Sequence, residues 1–271
     1  MVKWYNVIVL AAALYLSAIY IFNSQMSPLE VLKDWKLHAE VAALSLFLMS
    51  GFIINAFYDL EKDMINRPEQ TFFDRHISRS FSFYCYFGFS AIAALLSLLV
   101  DWKVLCVNLM FSFALWFYSH KMRKKLFMGE VGIALLTVAP FFSLTIFYWN
   151  ITLKMVEYVA FIFMIIVSRD VIKKIIGMKG DIIYGDRSIP VVYGEKKAKY
   201  LVISLCLISI GQIAFFIRFL FSGDIQYYFL AVVFVLGAIV VMLTKRNADY
   251  NQVNLLFKLL LLSAVFTIPF I

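Results

Sequence analysis

The sequence predicts an all-α bundle of helices that crosses a membrane nine times, and three observations predict it. The 271 residues are 63% hydrophobic and only 15% charged, with a mean hydropathy of +0.86, whereas soluble domains are about 45–50% apolar and about 25% charged. The apolar residues gather into long runs separated by polar connections. Each run approaches the roughly 20 residues that a helix needs to cross a bilayer core of about 30 Å. Nine such helices take about 180 residues, so the chain is expected to form a single transmembrane domain over residues 1–271.

The elements follow in order. Trp4–Phe22 comes after Lys3 and resembles a signal peptide, but it is longer than a usual h-region and other spans follow, so it reads as a retained helix. Leu37–Phe57 begins with His38 and Glu40, which are expected at the interface. Ile77–Val100 and Trp102–Ser119 are joined by little more than a turn at Asp101. Phe127–Tyr148 carries Glu130 near its start, and Met155–Ile176 starts around an interfacial Glu157. Tyr200–Phe221, Tyr227–Thr244 and Asn254–Ile271 complete the set, with Lys258 inside the last. An intramembrane Lys generally faces a bundle interior or snorkels to the interface, and both readings of Lys258 stand.

Nineteen Lys and Arg fall on the side of the N-terminus and five on the other. This bias predicts a cytoplasmic N-terminus, a C-terminus on the opposite side and residence in the cytoplasmic membrane. It also explains the net charge of +8 without a nucleic-acid partner. Cys85, Cys106 and Cys206 stand singly in apolar runs, which indicates neither a disulfide framework nor a zinc site.

Two cytoplasmic connections, at about 58–76 and 177–199, are long and rich in Asp, Arg and Gly. Long loops in compact proteins are often functional. In the first, Asn55, Asp59 and Asp63 recur every four residues, which stacks them on one helical face at steps of about 6 Å. Stacked carboxylates repel unless a cation lies between them, and Mg²⁺ is the natural one, since it takes oxygen ligands and couples carboxylates to phosphates. The plainer reading is a pair of solvated interfacial charges neutralised by Lys62 and Arg67. Asn55, one turn deeper in the apolar run, favours the metal, because a buried amide is costly unless it is used.

This pattern, followed by Asn66-Arg67-Pro68 and Ile77-Ser78-Arg79, resembles the UbiA superfamily of intramembrane prenyltransferases. Further landmarks in the same order are Asn6, Tyr118-Ser119 with Arg123, Arg169-Asp170, Gly180-Asp181, Gly185, Ser188-Ile189-Pro190 and Gly194. The resemblance implies a bundle around a central cavity open to the membrane and Mg²⁺-dependent transfer of a polyprenyl group from its diphosphate to an acceptor, with release of pyrophosphate. The acceptor would be an aromatic ring or a glycerol-phosphate-type hydroxyl, with a slight lean to the latter. It implies that Asp59, Asp63 and Asp181 hold the metal, with Asn55 beside them, and that Arg67, Arg123, Arg169 and Lys174 face the diphosphate. Asp170, Glu130, Lys258 and Asn6 are further expected contacts to metal or acceptor.

The second acidic motif departs from the family pattern. Where typical members have Asp, this sequence has Lys174, Gly177 and Asp181, so one carboxylate of three stays in place. Asp170 and Asp186 are partial substitutes, and Lys174 offers a direct contact to phosphate. Two other readings fit the same residues: a non-catalytic binder of isoprenoid diphosphate or lipid, and an ion-coupled transporter. Transporters place charge near the bilayer midplane, and these clusters sit at span ends.

Overall fold

A computed structural model describes residues 4–66, 78–220 and 223–270, with the side chains of 62, 63, 65 and 66 outside the described set. Every regular element among them is helical. In chain order they are α1 (Trp4–Ser17, continued by a π turn over Ala18–Phe22), α2 (Pro28–Val31), α3 (Trp35–Asn66), α4 (Arg79–Val100), α5 (Trp102–His120), a 3-10 turn over Met122–Lys124, α6 (Met128–Tyr148), α7 (Leu153–Ile176), α8 (Met178–Ile183), α9 (Ile189–Tyr193), α10 (Glu195–Phe215, with a π turn over Phe216–Leu220), α11 (Ile225–Thr244), α12 (Tyr250–Phe266) and a 3-10 turn over Ile268–Phe270.

The helix starts follow local chemistry. Ser78 Oγ accepts from Phe81 N at 3.1 Å and Asp101 Oδ1 from Lys103 N at 2.7 Å, while Thr152 and Asp249 cap α7 and α12 in the same way. These caps satisfy amides that no helix turn can reach.

Seven helices are long and apolar enough to cross a membrane: α1 with its π turn, α3 over Trp35–Glu61, α4, α5, α6, α10 with its π turn, and α11. The remaining two expected runs are helices as well, but α7 carries Lys154, Glu157, Arg169, Asp170, Lys173 and Lys174, and α12 has 17 residues. The expected nine is thus matched by seven on length and composition among the described residues. Large apolar side chains such as Phe87, Leu95 and Leu98 on α4 are exposed, which suits a lipid solvent.

Two compact units make up the chain, residues 1–123 with 136–150, and residues 124–135 with 151–271. In the first, Leu14, Leu37, Leu44, Phe47, Ala93 and Val104 are buried among α1, α3, α4 and α5. In the second, Phe161, Ile165, Phe216, Phe229, Leu236 and Phe257 form the core of α7, α10, α11 and α12. Both expected loops are corrected. The first does not begin at Tyr58, since α3 continues to Asn66, and the second is largely taken up by α8, α9 and the start of α10.

Candidate active site

In the first unit, α3 is unbroken from Trp35 to Asn66, so Asn55, Asp59 and Asp63 lie on consecutive turns. Asn55 Nδ2 donates to Asp59 Oδ2 at 2.9 Å. Arg123, three residues past the end of α5, pairs with the same Oδ2 and donates to Asn55 Oδ1 at 3.3 Å. Asp59 is buried, and the two paired side chains expose only 13% and 10% of their surface. The cation facing Asn55 and Asp59 is therefore the chain's own guanidinium. Beside it, Tyr58 Oη and His120 Nδ1 share a hydrogen bond of 3.1 Å. Tyr118 and Ser119 are buried, and Ser119 Oγ donates to Leu115 O. The side chain of Asp63 and all of Arg67 lie outside the described residues. Asn6, on the first turn of α1, is half-buried with no hydrogen bond among the described contacts.

In the second unit, the last turns of α7 carry Asp170 and Lys174, which share a helical face at i, i+4 and are both buried. Lys173 Nζ lies 3.5 Å from Asp170 Oδ1. Gly177 ends α7, and α8 brings in Asp181, which is 2% exposed. Gly185 then turns the chain at φ +70°, a conformation that favours glycine, and Asp186 N donates to Asp181 O at 2.9 Å. Asp186 is buried as well.

Glu130, in the first turn of α6, is 1% exposed, and its Oε1 accepts from Ile189 N at 3.0 Å. It thereby holds the first turn of α9, where Pro190 has no amide to satisfy. Glu130 also lies within the electrostatic reach of Lys174 and Asp170. Glu130 Oε2 and Asp170 Oδ2 are buried without a hydrogen bond among the described residues. Arg169 does not join this cluster through its Nε, which donates to Asn254 Oδ1 on α12 at 3.1 Å. Lys258 is exposed on α12.

Among the described residues no three His, Cys, Asp or Glu side chains are grouped so as to hold a metal. Mg²⁺ commonly takes one or two carboxylates and fills its shell with water and substrate phosphate. Asn55 Oδ1 and an Asp59 carboxylate oxygen, both turned on one cation, fit that use.

A further cluster was not expected. Glu40 is fully buried rather than interfacial. It accepts from Asn108 Nδ2 at 3.1 and 3.0 Å and meets Ser143 Oγ at 2.6 Å. Asn108 also reaches Ser97 Oγ at 2.9 Å and Ser143 Oγ at 2.7 Å. Glu40 was expected at the interface, and Ser97, Asn108 and Ser143 carried no expectation, because a sequence does not show which polar residues of separate apolar runs meet.

Residues 12–264 match the model of the UbiA prenyltransferase family. A digeranylgeranylglyceryl phosphate synthase from Thermococcus gammatolerans is 28% identical over 231 residues, covering 82% of this chain and 81% of the relative. One from Methanosarcina mazei is 26% identical over 234 residues, covering 84% and 80%. Among solved structures, the apo form of a UbiA homologue from Aeropyrum pernix K1 has a TM-score of 0.74 at 17% identity and covers 99% of this chain and 97% of its own. A UbiA homologue from Archaeoglobus fulgidus bound to GPP and Mg²⁺ has a TM-score of 0.67 at 16% identity, with 98% of each chain covered.

Proposed function

The chain belongs to the UbiA prenyltransferase family, and from that membership we propose that it transfers a polyprenyl group from its diphosphate to the hydroxyl of a glycerol-phosphate lipid, in a Mg²⁺-dependent reaction. The observation that carries the acceptor is the name shared by relatives that match over four-fifths of the chain, digeranylgeranylglyceryl phosphate synthase. That name describes a glyceryl phosphate with two geranylgeranyl groups. In the reaction the allylic C–O bond breaks and pyrophosphate leaves with the electron pair. The acceptor oxygen then bonds to the allylic carbon and gives up its proton to the departing pyrophosphate.

Each residue has a task in this proposal. Asn55 and Asp59, with Asp63 one turn further along α3, would hold Mg²⁺, which when bound supplies neutralisation of the charge that grows on the leaving oxygens. Arg123 exchanges Asp59 for a phosphate oxygen, a strong charge-assisted contact, and Arg67 is assigned the same kind of contact. In the second unit Lys174 serves as a cation for phosphate, Asp181 as a carboxylate ligand, and Glu130 and Asp170 keep the ammonium in place. Arg169 supports α7 through Asn254. The bias of Lys and Arg supports a cytoplasmic N-terminus in the cytoplasmic membrane.

The test is prenyl transfer by purified protein in nanodiscs, with labelled geranylgeranyl diphosphate, Mg²⁺ or EDTA, and glycerol-phosphate and aromatic acceptors. Product on the glycerol-phosphate lipid that needs Mg²⁺ and disappears in Asp59→Ala is the expected result. Product only on an aromatic acceptor overturns the acceptor, and binding of donor with no product on any acceptor overturns the transferase.

A further inference from the structure

Glu40, Asn108, Ser97 and Ser143 join α3, α5, α4 and α6 within the first unit, and all four are at most 1% exposed. Their hydrogens can be counted. If Glu40 is ionised, Ser143 Oγ, with one hydrogen, faces two acceptors, Glu40 Oε1 at 2.6 Å and Asn108 Oδ1 at 2.7 Å. One of these short contacts is then left without a hydrogen. If Glu40 is protonated at Oε1, the count closes: Glu40 donates to Ser143 and Ser143 to Asn108 Oδ1. The Asn108 amide then donates to Glu40 and to Ser97, and Ser97 donates to Ala93 O at 2.9 Å. Turning the Asn108 amide over does not remove the need for the proton, since its carbonyl oxygen would then face both carboxyl oxygens. Among the described residues, no contact of Glu40 is a cation.

The cluster also fixes a register. Glu40 to Asn108 and Asn55 to Arg123 both join residues 68 apart in the chain. From the first pair to the second, each strand of chain advances fifteen residues, about 22 Å along α3. The two segments thus run parallel without slipping, and Gly51 on α3 lies close to Leu115 on α5 between the pairs.

We propose that Glu40 carries a proton and acts as a positioning residue. With Asn108, Ser143 and Ser97 it forms a neutral clamp that sets α3 against α5 in the register that brings Asn55 and Asp59 to Arg123. Its bearing on catalysis rests on the reading of Asp59 and Arg123 as part of the reaction site, but the clamp can be tested apart from it.

The test compares Glu40→Gln, which keeps a neutral planar group, with Glu40→Leu. Infrared spectra at neutral pH should show the carbonyl band of a protonated carboxyl, lost in Glu40→Gln. Spin labels at Glu61→Cys and Lys121→Cys, both exposed positions, in a background free of Cys85, Cys106 and Cys206, report the register of α3 and α5 at their far ends. The label distance should be retained in Glu40→Gln and displaced by about 5 Å, one helical turn, or broadened in Glu40→Leu. Ser143→Ala, a milder change, should broaden it less and lower the melting midpoint if Glu40→Leu does not fold. Prenyl transfer should fall roughly a hundredfold in Glu40→Leu and be rescued in Glu40→Gln, as expected for a misplaced site. Spectra with no band that Glu40→Gln removes overturn the proton, and an unchanged label distance in both Glu40→Leu and Ser143→Ala overturns the register. Infrared and label distances need no activity, so the clamp and the proposed transferase can each fail alone.

Discussion

Replacing Arg123 with alanine removes the guanidinium that pairs with Asp59 and leaves a carboxylate in a setting where water can do little for it, since Asp59 is buried and its partner exposes only 13% of its side chain. Breaking one side of a buried pair costs about 3–5 kcal/mol, because the remaining charge stays buried and uncompensated. The Asn55 amide still donates to Asp59 at 2.9 Å, which puts the expected loss at the low end, about 3 kcal/mol, or a fall of roughly 6–12 °C in melting midpoint. The double change Arg123→Ala with Asp59→Asn removes both charges and should recover most of that loss. Metal binding should move the other way. Arg123 and a divalent cation compete for the same oxygens, so Arg123→Ala should bind Mn²⁺, measured by its electron paramagnetic resonance signal without donor, about tenfold or more tightly, tenfold being worth about 1.4 kcal/mol. A variant with wild-type melting and wild-type Mn²⁺ affinity would refute both the cost of the pair and the assignment of Asp59 to a metal.

Glu130→Ala should lower stability by about 1–3 kcal/mol in thermal unfolding, since Ile189 N loses its acceptor. Glu130→Gln keeps an acceptor oxygen and should lose clearly less, so the difference separates the hydrogen bond from the charge. Gly51→Leu should destabilise by about 1–3 kcal/mol, because even a Cβ there would lie 2.9 Å from Leu115 Cδ1, and Leu115→Ala in the same chain should restore much of the melting midpoint. EDTA should abolish prenyl transfer yet shift the melting midpoint of the donor-free protein by less than about 2 °C, as for a ligand that contributes little to the folded state.

The helical class was legible because membrane helices announce themselves by composition and length, and the polar series on α3 because a four-residue repeat has one meaning on a helix. The sequence did not show that Arg123 closes on Asn55 and Asp59, since separations of 68 and 64 residues leave no periodic trace; the resemblance alone assigned it a role. Glu40 was misread for the same reason: its partners lie 68 and 103 positions away, and an acidic residue five positions into a helix looks interfacial until those partners are seen. The second connection looked like loop because α8 and α9 are too short, at six and five residues, to show a hydrophobic period.

Both acidic clusters carry a cation from their own unit, and this bears on what the proposed metal would be for. Asp59 meets Arg123 in the first unit. In the second, Asp170 meets Lys173, and the buried Lys174 sits in the field of Glu130. A cluster of buried carboxylates without such partners would repel itself and would need an external cation to remain folded. Here the buried Lys174 supplies a built-in charge in place of that need. In the proposed reaction the requirement for metal would then fall on the chemical step, where charge on the leaving oxygens appears only as the allylic bond breaks. Chelation should therefore separate activity from stability, and a chain whose second cluster depended on a metal for folding would lose both together.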